Sequence, residues 1–556
     1  MSLLLASACD ARTRDTFDIG WAFQLGSSST RVCNASTFPV PLNDVQCLGL
    51  ASQPSATTAS ACEDACCAAG EGCTTWQYEA GAGCWIGAGC TTNLTGVGWV
   101  GAAELPRPPL SPCDPGSPCD PAFNDSAWRR VNVPHDSAIE GEFNPSVDPS
   151  KGALAKNVSW YRKHFTVDSA LEGSLIWLTF DGVFRAADVY VNGAFVAHHE
   201  EGYTAFVVYL HNASAPLHFG GGDNVVALFV DGTVSELWCY EGQGIYRHVW
   251  LETAGVLSFT PWSLFAPAAV TGSITGSDAS APQSTDGALI MPQVDVANAG
   301  DAPATGHVVF VMTDGAGAVV LNASSPFNVT ARSGWQRVAP GPLAIGSASS
   351  PIHLWNIALS PPLYTITATL LLTGAGGTPV DSASDRIGVR SALFDARAGF
   401  LLNGVKVQLR GTSNHLGFGG LGMAAVDRVD EFRVATLASI GCNAFRTAHN
   451  PVTRELLDVA DEYGMLVWSE NRFITAGVQP VASTARGGPT TALAQGQRSA
   501  TAVAARGSTD DRGDAQLFAT PSAVPTADPR LIRDAQDMVL QVSGTCYTRV
   551  PSRDNN

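Results

Sequence analysis

The sequence predicts a multidomain chain: a β-sandwich, a second β-sandwich of immunoglobulin type, and the opening part of a TIM (β/α)8 barrel. Three observations carry that prediction. From Phe123 to about Leu251 apolar and polar residues alternate in short runs bounded by turn signals, the pattern of strands with one buried face. A second region of this kind runs from about 257 to 390, with Gly- and Ala-rich turns. From Gly399 to Phe473 strand and helix patterns alternate instead, and a parallel sheet is what such alternation builds.

In the first region the clearest strands are Leu175 to Phe180 and Ala187 to Val191, and Asn192-Gly193 supplies a type I′ hairpin turn after the second. Val308 to Met312 and Thr365 to Leu372 are the clearest strands of the second region. Eleven of the fourteen cysteines fall between Cys9 and Cys119. The spacing of Cys62, Cys66, Cys67, Cys73, Cys84 and Cys90 around Trp76, Tyr78 and Trp85 predicts a small disulfide scaffold. Adjacent cysteines without paired C-x2-C knuckles suit zinc poorly.

Seven N-x-S/T sequons, at Asn34, Asn93, Asn124, Asn157, Asn212, Asn322 and Asn328, join the cysteines in pointing to a secretory route. Met1 to Ala8 has the apolar and small residues of a signal peptide, but neither a basic n-region nor a full apolar run. A formal charge of −18 repels phosphates, which argues against nucleic acid as a partner. No uncharged apolar run reaches the roughly 18 to 20 residues that span a bilayer, so no membrane anchor is expected.

At Phe400 the pattern changes. Leu402-Asn403-Gly404-Val405 predicts a hairpin, with Val405, Val407 and Leu409 alternating along its second strand. Val434, Leu437 and Ala438 lie at helical spacing, and Asn443 to Arg446 is strand-like. Asn450 is placed to cap the next helix with Pro451 at its first position. Leu456, Val459, Ala460 and Tyr463 form the buried stripe of that helix, and Gly464 ends it. Met465 to Trp468 is an apolar strand that terminates at Ser469-Glu470-Asn471. Polar residues just past strand ends are where barrels keep their chemistry. Residues 476 to 527 have the composition of a linker, a helical pattern returns over Asp528 to Leu540, and Val542 to Asn556 carries no pattern. So abrupt a loss predicts a truncated or misread transcript for those last residues.

Several fragments together resemble glycoside hydrolase family 2, the β-galactosidase, β-glucuronidase and β-mannosidase group. They are Phe17 to Trp21, Val133-Pro134-His135-Asp136, Ser159 to Phe165, Gly242 to Trp250, and Leu402-Asn403-Gly404 running to Leu409-Arg410-Gly411. The strongest is Gly441 to Pro451 followed by Gly464 to Asn471. The match covers most of the chain outside the cysteine-rich stretch. The resemblance implies a sugar-binding jelly roll over 12–40 and 114–256, an immunoglobulin-like sandwich over 257–392 and the first part of a TIM-barrel catalytic domain over 393–541. The cysteine-rich insert, 41–113, resembles PAN/apple-like modules, which bind proteins or carbohydrates; a purely structural staple is the alternative.

Family members are retaining glycosidases that need two carboxyl groups about 5 to 5.5 Å apart and no cofactor. In the family these are glutamates after the fourth and seventh strands, and here no glutamate follows Glu470. The expectation is a chain without catalytic carboxylates, inactive as given. Its substrate-binding candidates follow residue by residue. Arg446 matches a family arginine that pairs with the nucleophile, against the alternative of an ordinary salt bridge. His449 matches a histidine that hydrogen-bonds the sugar, against that of a histidine merely near a helix cap. Asn414 and His415 follow the first barrel strand, where the family often has a polar group. Glu470 corresponds to an acid that binds sugar or, in some members, a metal ion. Asn157 sits where some β-galactosidases contact substrate, in competition with its own sequon. The stretch Glu236 to Glu241 offers aromatic surface to a sugar, or simply core packing. The implied partner is a β-linked oligosaccharide or glycoside, and the rival class is a non-catalytic carbohydrate-binding protein.

Overall fold

The computed structural model describes residues 12–25, 40–41, 45–48, 51–68, 75–80, 82–87, 92–95, 100–103, 113–145, 147, 152–210, 216–233, 240–373, 379–424 and 426–470. Its first β region is two antiparallel sheets. One has the order Thr13–Thr16, Val249–Ala254, Leu175–Phe180, Phe206–Tyr209. The other runs Arg129–Val131, Trp21–Leu25, Val158–Thr166, Asp223–Asp231, Ala187–Val191, Ala194–His199. Side chains of both, among them Trp21, Phe180, Val189 and Leu228, share one core. Asn192 and Gly193 both have positive φ, +47° and +82°, as the type I′ turn requires.

The two strands read most clearly from the sequence are buried on both faces. Tyr190 packs outward against Cys119, Trp160 and Phe195. The segment carrying Cys119 is held there by the buried Arg162, which donates to the carbonyls of Pro118, Asp120 and Phe123 and pairs with Asp125 at 3.3 Å.

In the cysteine-rich module a helix, Ala59–Ala68, lies on a sheet ordered Val40–Pro41, Val100–Ala103, Thr75–Glu79, Gly83–Gly87, Ala51–Ser52. The Cys62–Cys84 disulfide ties helix to sheet inside a core of Ala56, Cys66, Trp76 and Ile86, and a second disulfide joins Cys113 to Cys119. The expected disulfide scaffold is present; the side chains of Cys67, Cys73 and Cys90 lie outside the described residues. A core this small depends on its staple, and losing one from a small module costs about 2–5 kcal/mol. Mild reduction is therefore expected to unfold this module first, raising Trp76 exposure in fluorescence quenching. The sandwich, whose core contains no cysteine, keeps its strand signal in circular dichroism.

The second β region has a sheet ordered Val319–Val329, Ala304–Thr313, Tyr364–Leu372, Pro379–Ile387, and a smaller one ordered Leu257–Phe259, Val294–Asn298, Ser333–Val338. Alternation holds closely here: Val308, Phe310 and Met312 are buried while Val309 and Val311 are not. They meet Ile366, Ala368 and Val296 in one core.

Beyond it a hairpin, Gly399–Leu402 and Val405–Lys406, turns at Asn403 and Gly404 with φ of +51° and +75°. The strand expected to run to Leu409 stops at Lys406. Val407 and Leu409 instead pack with Trp355 and Leu402, and Asn443 Oδ1 accepts the Arg410 N–H at 2.8 Å, steering the chain into the barrel. Three parallel strands follow, Gly411–Asn414, Ala444–Thr447 and Leu466–Trp468, connected by helices Asp427–Ser439 and Arg454–Glu462. Val434, Phe445, Leu456, Ala460 and Met465 form their core.

The second of these helices starts later than its sequence suggests. Thr453 is the N-cap, its Oγ1 accepting the Leu456 N–H at 3.1 Å, whereas Asn450 and Pro451 stay in the preceding loop. The helix ends before Gly464, where φ is +64° and an added Cβ would stand 2.3 Å from the Ala358 carbonyl oxygen. Only glycine suits both demands.

Candidate functional site

The parallel register aligns Ser413 with Arg446 and Arg446 with Trp468, so these side chains share one face of the three strands. Phe445 and Thr447 take the opposite, buried face, which fixes the direction of Arg446. Just past the third strand Glu470 comes back over this row. Its Oε1 accepts from Arg446, and its Oε2 lies 2.8 Å from His449 Nδ1. Arg446 also donates to Ser413 Oγ at 3.0 Å, and the Glu470 N–H donates to Thr447 Oγ1 at 2.8 Å. The His415 ring stands edge-on to His449 with centroids 5.8 Å apart.

A carboxylate between a guanidinium and an imidazole presents acceptors and donors side by side, the combination that takes neighbouring hydroxyls. Both of its oxygens are already engaged by side chains. Among the described residues no group of three His, Cys, Asp or Glu is arranged to hold a metal ion.

Of the residues singled out in the sequence, Arg446, His449, Glu470 and His415 are thus brought together. Asn414 contributes through its backbone: its carbonyl accepts the Ala448 N–H at 3.0 Å, while its side-chain amide turns back to the Thr412 carbonyl at 2.8 Å. Asn157 lies in the sandwich, its N–H donating to Gln243 Oε1 at 2.8 Å and its carbonyl accepting from Gly232. Glu236 to Cys239 lie outside the described residues. Tyr240 packs with Phe184, Tyr203, Tyr246 and Met423.

Sequence reasoning missed what joins the sandwich to the barrel. Asp136 is 3% exposed and accepts four hydrogen bonds: from the N–H groups of Ala138 and Gln243, each at 3.0 Å, from Tyr240 OH at 2.7 Å, and from the Met423 N–H of the first barrel loop at 2.8 Å. Burial next to that carboxylate pushes the Tyr240 phenol far above its usual range, so it stays a donor. The only sequence signal was the Val133 to Asp136 fragment, whose partners lie far along the chain.

A second tie is His248, between Asp18 Oδ2 at 2.6 Å and Asp427 Oδ1 of the first barrel helix at 2.9 Å. Burial disfavours its charge, but the hydrogen bonds to Asp18 and Asp427 outweigh burial and raise its pKa to about 9. A folded-state value above the unfolded one means stabilisation that is complete below about pH 6.5 and lost as pH rises through 9. The stability difference between wild type and His248→Gln in urea melts is therefore expected to be largest near pH ~6 and to shrink towards pH ~10. A difference that does not change with pH would mean His248 stays neutral.

Residues 396–507 match the family model described as glycosyl hydrolases family 2, TIM barrel domain. The β-galactosidase BoGH2A of Bacteroides ovatus is 32% identical over 353 residues, covering 63% of this chain and 38% of that protein. A β-glucuronidase of Bacteroides fragilis is 26% identical over 354 residues, covering 63% and 47%. The chain thus spans less than half the length of these relatives. A solved family 2 glycosyl hydrolase from Bacteroides cellulosilyticus superimposes with a TM-score of 0.54 at 30% identity, over 64% of this chain and 46% of that one. The Bacteroides uniformis β-glucuronidase, at 19% identity and TM-score 0.55, covers 83% of this chain and 42% of its own, and shares the fold.

Proposed function

We propose that this chain is a glycoside hydrolase family 2 protein that positions β-linked sugars, β-galactosides foremost, without supplying both catalytic carboxylates. The observation that carries the proposal is the grouping of Arg446, His449 and Glu470 at the ends of consecutive parallel strands. The family model and the β-galactosidase and β-glucuronidase relatives support it. Chemistry of this family needs no cofactor. It does need two carboxyl groups flanking the scissile bond. Glu470 is a single one, and these 556 residues contain no later glutamate.

In this reading 12–40 and 114–256 form the sugar-binding jelly roll, with 41–113 inserted as a PAN/apple-like module. Residues 257–392 are the immunoglobulin-like spacer, and the chain travels the secretory route.

The test pairs binding with turnover. Isothermal titration with isopropyl thio-β-galactoside is expected to show binding, and p-nitrophenyl β-galactoside, β-glucuronide and β-mannoside are expected to give no hydrolysis. Hydrolysis that survives purification would overturn the claim about the carboxylates. A second reading, carbohydrate binding through the sandwich and the cysteine-rich module alone, is favoured by the lone carboxylate. It predicts binding that survives Arg446→Ala, where the first reading predicts its loss.

A further inference from the structure

We infer that Arg247, in the sandwich, is a positioning residue for His449 in the barrel; this rests on the sugar-site reading above. The loop between the second barrel strand and the Thr453 cap holds His449. It is pinned at one end by the Ala448 N–H on the Asn414 carbonyl and at the other by Arg247 Nη2, which donates to the Pro451 carbonyl at 2.8 Å. The guanidinium is itself fixed from behind, since Nη1 donates to the carbonyls of Tyr203 at 2.9 Å and Asp181 at 3.3 Å. One planar fork therefore spans three carbonyls, a geometry a lysine ammonium cannot reproduce.

A further observation shows that the fold makes room for this reach. Gly182 lets the arginine stem pass: an added Cβ there would stand 2.7 Å from Arg247 Cδ. Holding Pro451 fixes the backbone two residues from His449, and so the angle at which its imidazole meets Glu470.

The experiment uses the full chain with Arg247→Met and, as a variant that keeps the guanidinium, Gly182→Ala. Two quantities are read: the His449 imidazole resonance in NMR spectra of the ligand-free protein, and affinity for isopropyl thio-β-galactoside. Both variants are expected to shift or broaden the His449 resonance and to weaken binding about tenfold. In a His449→Ala background Arg247→Met is expected to weaken binding less than about twofold, because the two residues act as one unit. An unmoved His449 resonance, or a full additional loss in the His449→Ala background, overturns the inference. If wild type itself does not bind the thiogalactoside, the sugar-site reading fails, and the resonance alone decides the role of Arg247.

Discussion

Replacing Asp136 by alanine is expected to destabilise the fold by several kcal/mol, because a buried donor left without its acceptor costs about 1–3 kcal/mol and four donors lose theirs together. The cost comes from what is left behind. Tyr240 OH and the N–H groups of Gln243, Ala138 and Met423 would each face a cavity too enclosed to be solvated freely. The chain has been shaped around this carboxylate. Gly422 has φ of +60°, and a Cβ on it would stand 2.2 Å from Asp136 Oδ2. Asp136→Asn should lose less, because one amide oxygen can still accept while its NH2 opposes the remaining donors. Urea unfolding with limited proteolysis of the 415–424 loop reads both effects. A loop that stays protected in Asp136→Ala would show that other contacts dock the barrel.

Glu470→Ala has the opposite signature. Arg446 is 45% exposed at its side chain, so its pair with Glu470 is screened and contributes only about 0–1 kcal/mol to folding. Hydrogen bonds from a sugar to an ionised group are worth about 1.5–3 kcal/mol each, so affinity for the thiogalactoside should fall at least tenfold. Binding is lost while the melting curve barely moves. If the unfolding midpoint falls and affinity holds, Glu470 is only the partner of Arg446 in an ordinary salt bridge.

How far the sequence carried these conclusions differs from element to element. Asn192-Gly193 and Asn403-Gly404 were legible because a type I′ turn constrains just the residues that form it. The barrel row was legible because strand ends and helix stripes are local patterns, and Arg446, His449 and Glu470 fell on them. The helix start was misread because Asn450 and Pro451 have the right local chemistry, but Thr453 caps the helix while Arg247, 204 residues upstream, holds the Pro451 carbonyl. Asp136 was illegible for the same reason, with three of its four donors more than a hundred residues away. Leu175 to Phe180 looked like an ordinary strand because nothing within it announces what covers its second face.

The reach from Arg247 to Pro451 also sets an order of events during synthesis. At about 5–20 residues per second the ribosome makes Pro451 roughly 10–40 seconds after Arg247. The sandwich therefore has time to close before the loop exists, and the guanidinium is already clamped to Tyr203 and Asp181 when its last acceptor emerges. The loop bearing His449 is cast against a finished mould, so a slow or damaged sandwich would leave the barrel without its template at the moment it is needed.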